Sequence, residues 1–226
     1  MIIKTTDKYT LERVRDRIYL LSFKDQYNMC MHFLRLQEFY ESPNPKFRGK
    51  VFDIFEFMEW YSKEYGKGSF TYPKDWGGFN VPSEVFDELD ILWSDIQTKT
   101  IYDYEMYQVY RDITLDIINA GKSYEVDFYL IGILDKDAAT FDHEMAHALF
   151  YIEPEYKKAM NKLLKNLDKK LYEKITKYLT SIGYSSTVFH DEAQAYLATG
   201  FTKRSKIKAK QATKPFIDVF NQFMRK

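Results

Sequence analysis

The chain has 226 residues, enough to bury a sizeable core and to form one domain or two small ones. Its 33 basic and 33 acidic residues cancel, so the composition predicts neither a nucleic-acid partner nor an anionic membrane partner. Cys30 is the single cysteine, which excludes an internal disulfide framework. With no apolar run of membrane-spanning length and no signal-peptide core at the start, we expect a cytoplasmic location; a trimmed mature chain would reopen a secreted one.

Residues 1–97 are predicted to form an α/β-like region whose role the sequence does not assign. Periodicity and turn residues predict a strand followed by three helices, at Arg17–Phe23, Asp25–Glu41, Phe52–Tyr65 and Ser83–Gln97. Ser83 is a plausible N-cap for the last of these helices. The segment from Gly66 to Pro82 is rich in glycine and proline and is expected to be irregular.

Aromatic residues are unusually dense between Phe52 and Phe79. Flat rings beside glycines and prolines could line a groove that recognises an extended peptide. The same density is more typical of a core that also supports a long loop, and we favour that interpretation.

Residues 98–226 are predicted to form a second, mainly helical domain with a small sheet. Its expected elements are a helix, a strand, a helix, an amphipathic spacer and a final helical stretch, at Ile101–Ile118, Tyr124–Leu134, Ala138–Ile152, Glu155–Leu179 and Phe189–Ala198. A basic run follows at Lys203, Arg204, Lys206, Lys208, Lys210 and Lys214. We interpret this run as a solvated surface rather than an anionic docking patch.

The helix at Ala138–Ile152 contains an HExxH motif, formed by His143, Glu144 and His147. Two histidines four residues apart lie on one face of a helix, so both imidazoles can bind one metal ion. The glutamate between them is placed to act as the base for a metal-bound water. The motif therefore indicates zinc-hydrolase chemistry.

A zinc site of this kind needs a third protein ligand, and the sequence offers three candidates. Glu192 begins an ExxA arrangement with Ala195, which puts a carboxylate and a small residue on one helix face, and it is the favoured candidate. Glu153 lies at the spacing used by metzincins, but those enzymes turn the chain at a glycine where this sequence has Phe150. His190 is the third option, since histidine is a common zinc ligand.

With HExxH followed far downstream by a glutamate in ExxA, the sequence resembles the gluzincin metallopeptidases, and within them the lethal-factor and Pro-Pro endopeptidase group. The resemblance covers roughly residues 124–226. It implies a zincin-like fold of the α+β class, with zinc bound by His143, His147 and Glu192 and with Glu144 as the catalytic base. That group also carries an oxyanion-stabilising tyrosine slightly upstream of the glutamate ligand. Tyr184, eight residues before Glu192, is the nearest match.

The predicted function is therefore a zinc-dependent metallopeptidase that hydrolyses a peptide or protein substrate. Either Tyr184 or His190 would donate a hydrogen bond to the oxyanion. Two other functions stay open at this point. One is a catalytically inert zincin-fold module that binds a protein partner through the aromatic region, and the other is a zinc hydrolase of a non-peptide amide.

Overall fold

The computed structural model describes residues 1–123, 126–201, 205, 207 and 210–225. The chain divides into two compact units, Met1–Asp137 and Ala138–Lys226. The predicted boundary after Gln97 falls inside the first unit. It does so because the helix and the strand that follow Gln97 pack and pair with elements near the N-terminus.

The first unit contains a mixed five-stranded sheet. Its strands are β1 (Ile2–Thr5), β2 (Tyr9–Arg15), β3 (Ile18–Phe23), β4 (Gly78–Pro82) and β5 (Tyr129–Leu134), in the order β1-β2-β3-β5-β4. Only the pairing of β3 with β5 is parallel. The sequence predicted β3 and β5, although Tyr124 and Glu125, at the start of the predicted second strand, lie outside the described residues. β1, β2 and β4 were not predicted.

Five helices and a 3-10 turn complete the described part of this unit. They are α1 (Gln26–Glu41), α2 (Ile54–Glu64), α3 (Tyr72–Asp75), α4 (Ser83–Ile91), a 3-10 helix at Trp93–Asp95, and α5 (Ile101–Asn119). Asp25 and Asp53 cap α1 and α2 through their side chains, and Thr100 forms a capping box with Asp103 at α5. The predicted helix to Gln97 stops at Ile91. Its N-cap is Pro82, while the hydroxyl of Ser83 accepts a hydrogen bond from the Phe128 amide instead.

The aromatic stretch belongs to the core of the first unit, as favoured from the sequence. Phe57 and Tyr72 are fully buried, and their ring centroids lie 5.6 Å apart. Phe33 of α1 stacks on Phe79 at 5.1 Å and covers Gly132 of β5. A Cβ atom at Gly132 would lie 2.2 Å from the Phe33 ring, so the glycine is what lets α1 approach the sheet.

The described residues of the second unit form helices joined by loops and include no strand. Its helices are α6 (Ala138–Ile152), α7 (Pro154–Lys165), α8 (Lys169–Ser181), α9 (Phe189–Thr199) and α10 (Lys210–Met224). Helix α6 packs against α7 and α9, and α10 packs against α7 and α9. The small sheet expected in this domain belongs instead to the first unit, because β5 pairs with β3 and β4. The chain is thus α+β, with the sheet confined to one unit.

No helix in the described part of the chain is long and apolar enough to cross a membrane. Most of the predicted basic run lies outside the described residues, namely Lys203, Arg204, Lys206, Lys208 and the side chain of Lys210. Lys214 is exposed on α10 and forms an ion pair with Asp218 at 2.7 Å.

Candidate metal centre

Helix α6 presents both histidines of the HExxH motif on one face. The ring centroids of His143 and His147 lie 5.0 Å apart, and their Nε2 atoms are separated by 3.4 Å. His147 and Glu144 are buried, and His143 is partly exposed. The motif helix therefore brings two imidazole nitrogens to one point, with one of the two rings open to solvent.

Helix α9 supplies the third group. The carboxylate oxygens of Glu192 lie 3.6 Å from His143 Nε2 and 3.5 Å from His147 Nε2. Ligand atoms of these three residues all fall within 4.8 Å of one another, and the group could hold a metal ion. Glu192 is buried, and its Oε2 atom has no hydrogen-bond partner within the described residues. A buried carboxylate oxygen without a partner is costly unless a cation or a proton satisfies it.

Small residues and one buried amide hold α9 close to α6. Ala146 of α6 and Ala195 of α9 are fully buried. The side-chain amide of Gln194 donates to the Ala146 carbonyl at 3.2 Å and to Asp191 Oδ1 at 2.9 Å. Its oxygen accepts a hydrogen bond from the Tyr156 hydroxyl at 3.1 Å. These bonds fix the position of α9, and with it the Glu192 carboxylate, relative to the two histidines.

Hydrogen bonds from α9 also set the tautomer of each histidine. His147 Nδ1 lies 3.0 Å from Asp191 Oδ2, and an ionised carboxylate can only accept, so Nδ1 carries the hydrogen. His143 Nδ1 lies 3.4 Å from Thr199 Oγ1. The Thr199 hydroxyl donates its own hydrogen to the Ala195 carbonyl at 2.8 Å, so it too can only accept from the ring. In the neutral form of each ring the Nε2 atom therefore bears the lone pair, and this atom faces Glu192.

Three electron-pair donors that converge in this way fit a small divalent cation. Tetrahedral zinc with bonds of about 2.0–2.1 Å separates its ligand atoms by roughly 3.3–3.4 Å. The two Nε2 atoms are 3.4 Å apart, Glu192 Oε2 lies 3.6 Å from His143 Nε2, and Glu192 Oε1 lies 3.5 Å from His147 Nε2. Each of these distances is comparable with such an edge and is long for a hydrogen bond. Burial alone lowers the pKa of His147, but the carboxylates of Asp191 and Glu192 outweigh burial and hold that pKa well above its ordinary value. The site thus attracts positive charge, and two nitrogens with one carboxylate are a donor set that zinc accepts.

The two other candidates for the third ligand lie outside this group. Glu153 is the N-cap residue of α7, and His190 is exposed with its Nε2 atom 2.7 Å from the Asn161 side-chain oxygen. Neither belongs to the cluster of potential ligands found among the described residues. The structure therefore brings Glu192, and not Glu153 or His190, to the histidine pair.

Tyr184 is connected to the site by Tyr196, a residue that the sequence analysis did not single out. The Tyr196 ring lies 4.6 Å from the His143 ring, and its side chain is hydrogen-bonded to Tyr184. Burial, and then the carboxylate of Glu192, raise the pKa of Tyr196, so its hydroxyl keeps its proton. Helical spacing from Glu192 could have identified Tyr196, since residues four apart share a helix face. By the same spacing Thr199, seven residues after Glu192, lies on that face.

Comparisons of the chain with known protein families, with curated proteins and with solved structures gave no match. The function of this chain is therefore inferred from the geometry of the cluster and from the chemistry of its side chains.

Proposed function

We propose that this protein is a zinc-dependent metallopeptidase, with His143, His147 and Glu192 as the metal ligands. The observation that supports this proposal is the convergence of two histidine Nε2 atoms and the buried Glu192 carboxylate, with ligand atoms within 4.8 Å of one another. The Oε2 atom of that carboxylate has no hydrogen-bond partner among the described residues. Zinc, when bound, would lower the pKa of a water molecule and polarise the substrate carbonyl.

Glu144 has the proton-transfer role in this proposal. It lies between the two ligands on α6 and is buried, and its charge acts on both His147 and Tyr196. A carboxylate in that position can accept the proton of the attacking water and then pass it to the leaving amine. Glu144 does not belong to the cluster of potential ligands, which leaves it available for this role.

A hydroxyl donor for the oxyanion would come from Tyr184 or from Tyr196, whose ring lies beside His143. Tyr184 remains the residue proposed from the sequence, and its contact with Tyr196 links it to the metal ligands. His190 has less support for this role, because its Nε2 atom already interacts with Asn161. Binding of a protein partner through the aromatic stretch has less support as well, since Phe52, Phe57 and Tyr72 are buried in the core of the first unit.

The test combines metal content with the Glu144→Gln variant. Elemental analysis should find one zinc per chain in protein purified without added metal or reconstituted after chelation. Glu144→Gln should keep that zinc and the melting temperature but lower cleavage of a peptide library by at least about 10²-fold, because the amide cannot accept the proton. Glu155→Gln, an exposed glutamate on α7, is the matched control and should cleave like the wild type.

Equal cleavage by the wild type and Glu144→Gln would contradict the proposed mechanism. Absence of zinc from both preparations would contradict the metal centre itself. If the wild type holds zinc and cleaves other amides but no peptide in the library, the reaction class is amide hydrolysis of a different substrate.

A further inference from the structure

Helix α9 provides the third ligand and also contacts both histidines on the side of the ring away from Glu192. Asp191 lies beside His147, and Thr199 lies beside His143. We infer that Asp191 is the principal positioning residue of the metal centre and that Thr199 is a weaker one. This inference rests on the proposed function, because it assigns these two residues a role toward the proposed metal ion.

The two contacts differ in strength. Asp191 is a carboxylate 3.0 Å from His147 Nδ1, whereas Thr199 offers a neutral oxygen at 3.4 Å from His143 Nδ1. A hydrogen bond to a charged acceptor is shorter and roughly twice as strong as a neutral one. A carboxylate on the far nitrogen also raises the basicity of the nitrogen that binds the metal. Asp191 should therefore contribute more to metal affinity than Thr199 does.

A buried chain of hydrogen bonds holds the Asp191 carboxylate in place. Tyr156 of α7 donates to the Gln194 oxygen, which orients the Gln194 amide nitrogen toward Asp191 and toward the Ala146 carbonyl of α6. Gln194 and Tyr156 are fully buried. Because each atom of the Gln194 amide is used, the Asp191 carboxylate has one favoured orientation. That orientation places its second oxygen on His147.

The Asp191→Asn variant tests the inference by metal binding and not by turnover. An asparagine oxygen can still accept from His147, but the negative charge is lost and the new amide group faces the Gln194 donor. Zinc affinity, measured by competition with a chelator, should fall about 10–100-fold. Bound cobalt(II) should show shifted visible absorption bands, because the imidazole becomes a weaker donor. Circular dichroism of the metal-free variant checks that the fold is retained.

Four further variants make the test specific. Asp142→Asn removes the same charge from an exposed aspartate next to His143, and its zinc affinity and cobalt spectrum should stay close to wild type. Thr199→Val should lower zinc affinity less than Asp191→Asn does, and Thr199→Ser should restore it. If Asp191→Asn does not fold, Asp191→Glu displaces the carboxylate while keeping its charge and should shift the same spectrum.

The outcomes separate this inference from the proposed function. If the wild type binds zinc and Asp191→Asn matches Asp142→Asn in both affinity and spectrum, the positioning role is refuted while the metal centre stands. If the wild type binds no zinc, both are refuted.

Discussion

In the first unit the buried Arg35 side chain forms an ion pair with Asp103 at 2.7 Å. It also donates hydrogen bonds to the carbonyls of Phe52 and Thr98 at 2.8 and 2.9 Å. In the second unit the nearest side-chain atoms of His143, His147 and Glu192 lie 3.4–3.6 Å apart. Both arrangements bury ionisable side chains, but only the second leaves a buried carboxylate oxygen, Glu192 Oε2, without a hydrogen-bond partner among the described residues. The ion pair of the first unit is complete within the chain, whereas the group of His143, His147 and Glu192 in the second unit could hold a metal ion.

The largest effect expected of any substitution is the loss of zinc affinity when a ligand of the proposed metal centre is removed. Glu192→Ala should lower zinc affinity by well over the roughly 100-fold that is typical of outer contacts, because a ligand is lost. Glu153→Ala is the matched control and should bind zinc like the wild type. Chelator competition measures both. A large loss in the Glu153 variant alone would move the third ligand to the metzincin spacing.

The next largest effect is a loss of stability when the buried ion pair of Arg35 with Asp103 is broken. Arg35→Met leaves Asp103 buried without its partner, and this should lower the free energy of unfolding by about 3–5 kcal/mol. Denaturant unfolding measures the change, and zinc affinity should not respond. Lys63→Met, which breaks an exposed pair with Glu59, should unfold like the wild type. Equal stability of the Arg35 and Lys63 variants would contradict the distinction between buried and exposed pairs.

Glu38 of the first unit resembles Glu192 in one respect. It is a buried carboxylate whose Oε2 atom has no hydrogen-bond partner within the described residues. Burial raises its pKa to about 7, against the opposing influence of the Ser42 and Tyr72 hydroxyls. The folded state therefore binds this proton more tightly than the unfolded state does. The contribution of Glu38 to the free energy of unfolding is therefore fully present below about pH 4.5 and is lost as the pH rises through 7.

Glu38→Gln should remove that dependence on pH. Relative to wild type, its free energy of unfolding should be higher by up to about 3 kcal/mol at pH 8 and nearly unchanged at pH 4. Urea unfolding at several pH values measures this, with the exposed Glu59→Gln variant as the control. Parallel pH profiles for Glu38→Gln and the wild type would show that Glu38 is not neutralised by protonation in the folded state.

The sequence predicted the helices better than the sheet. Helices α1, α2, α5, α6 and α9 appear close to their expected places, because hydrophobic periodicity and capping residues act locally. Strand β2 carries Glu12, Arg13 and Arg15 on partly exposed positions, which weakened its apolar pattern. Strand β4 contains Gly78 and Pro82, which indicated a turn, and an edge strand tolerates proline.

The domain boundary was not predictable from local pattern. Strand β5 precedes the motif helix in sequence, but periodicity does not say which distant strand it pairs with. The grouping of His143, His147 and Glu192 was predictable, because HExxH and the ExxA glutamate have a spacing that metal binding constrains. Helical spacing from Glu192 would have indicated Tyr196 and Thr199. Asp191 was not predictable, because its contact with His147 depends on how α9 is rotated against α6, and that rotation is fixed by tertiary contacts such as the hydrogen bond from Gln194 to Ala146.

The parallel pairing of β3 with β5 has a consequence for how the chain is made. Roughly a hundred residues separate these partners, so β3 emerges from the ribosome long before the strand that covers its inner edge. The antiparallel β1-β2-β3 meander can form early, since its turns are short. Until β5 is synthesised, the apolar β3 strand presents an unpaired edge to other chains. Fragments that end before Tyr129 should therefore aggregate, whereas a chain that extends through Leu134 can close its own sheet.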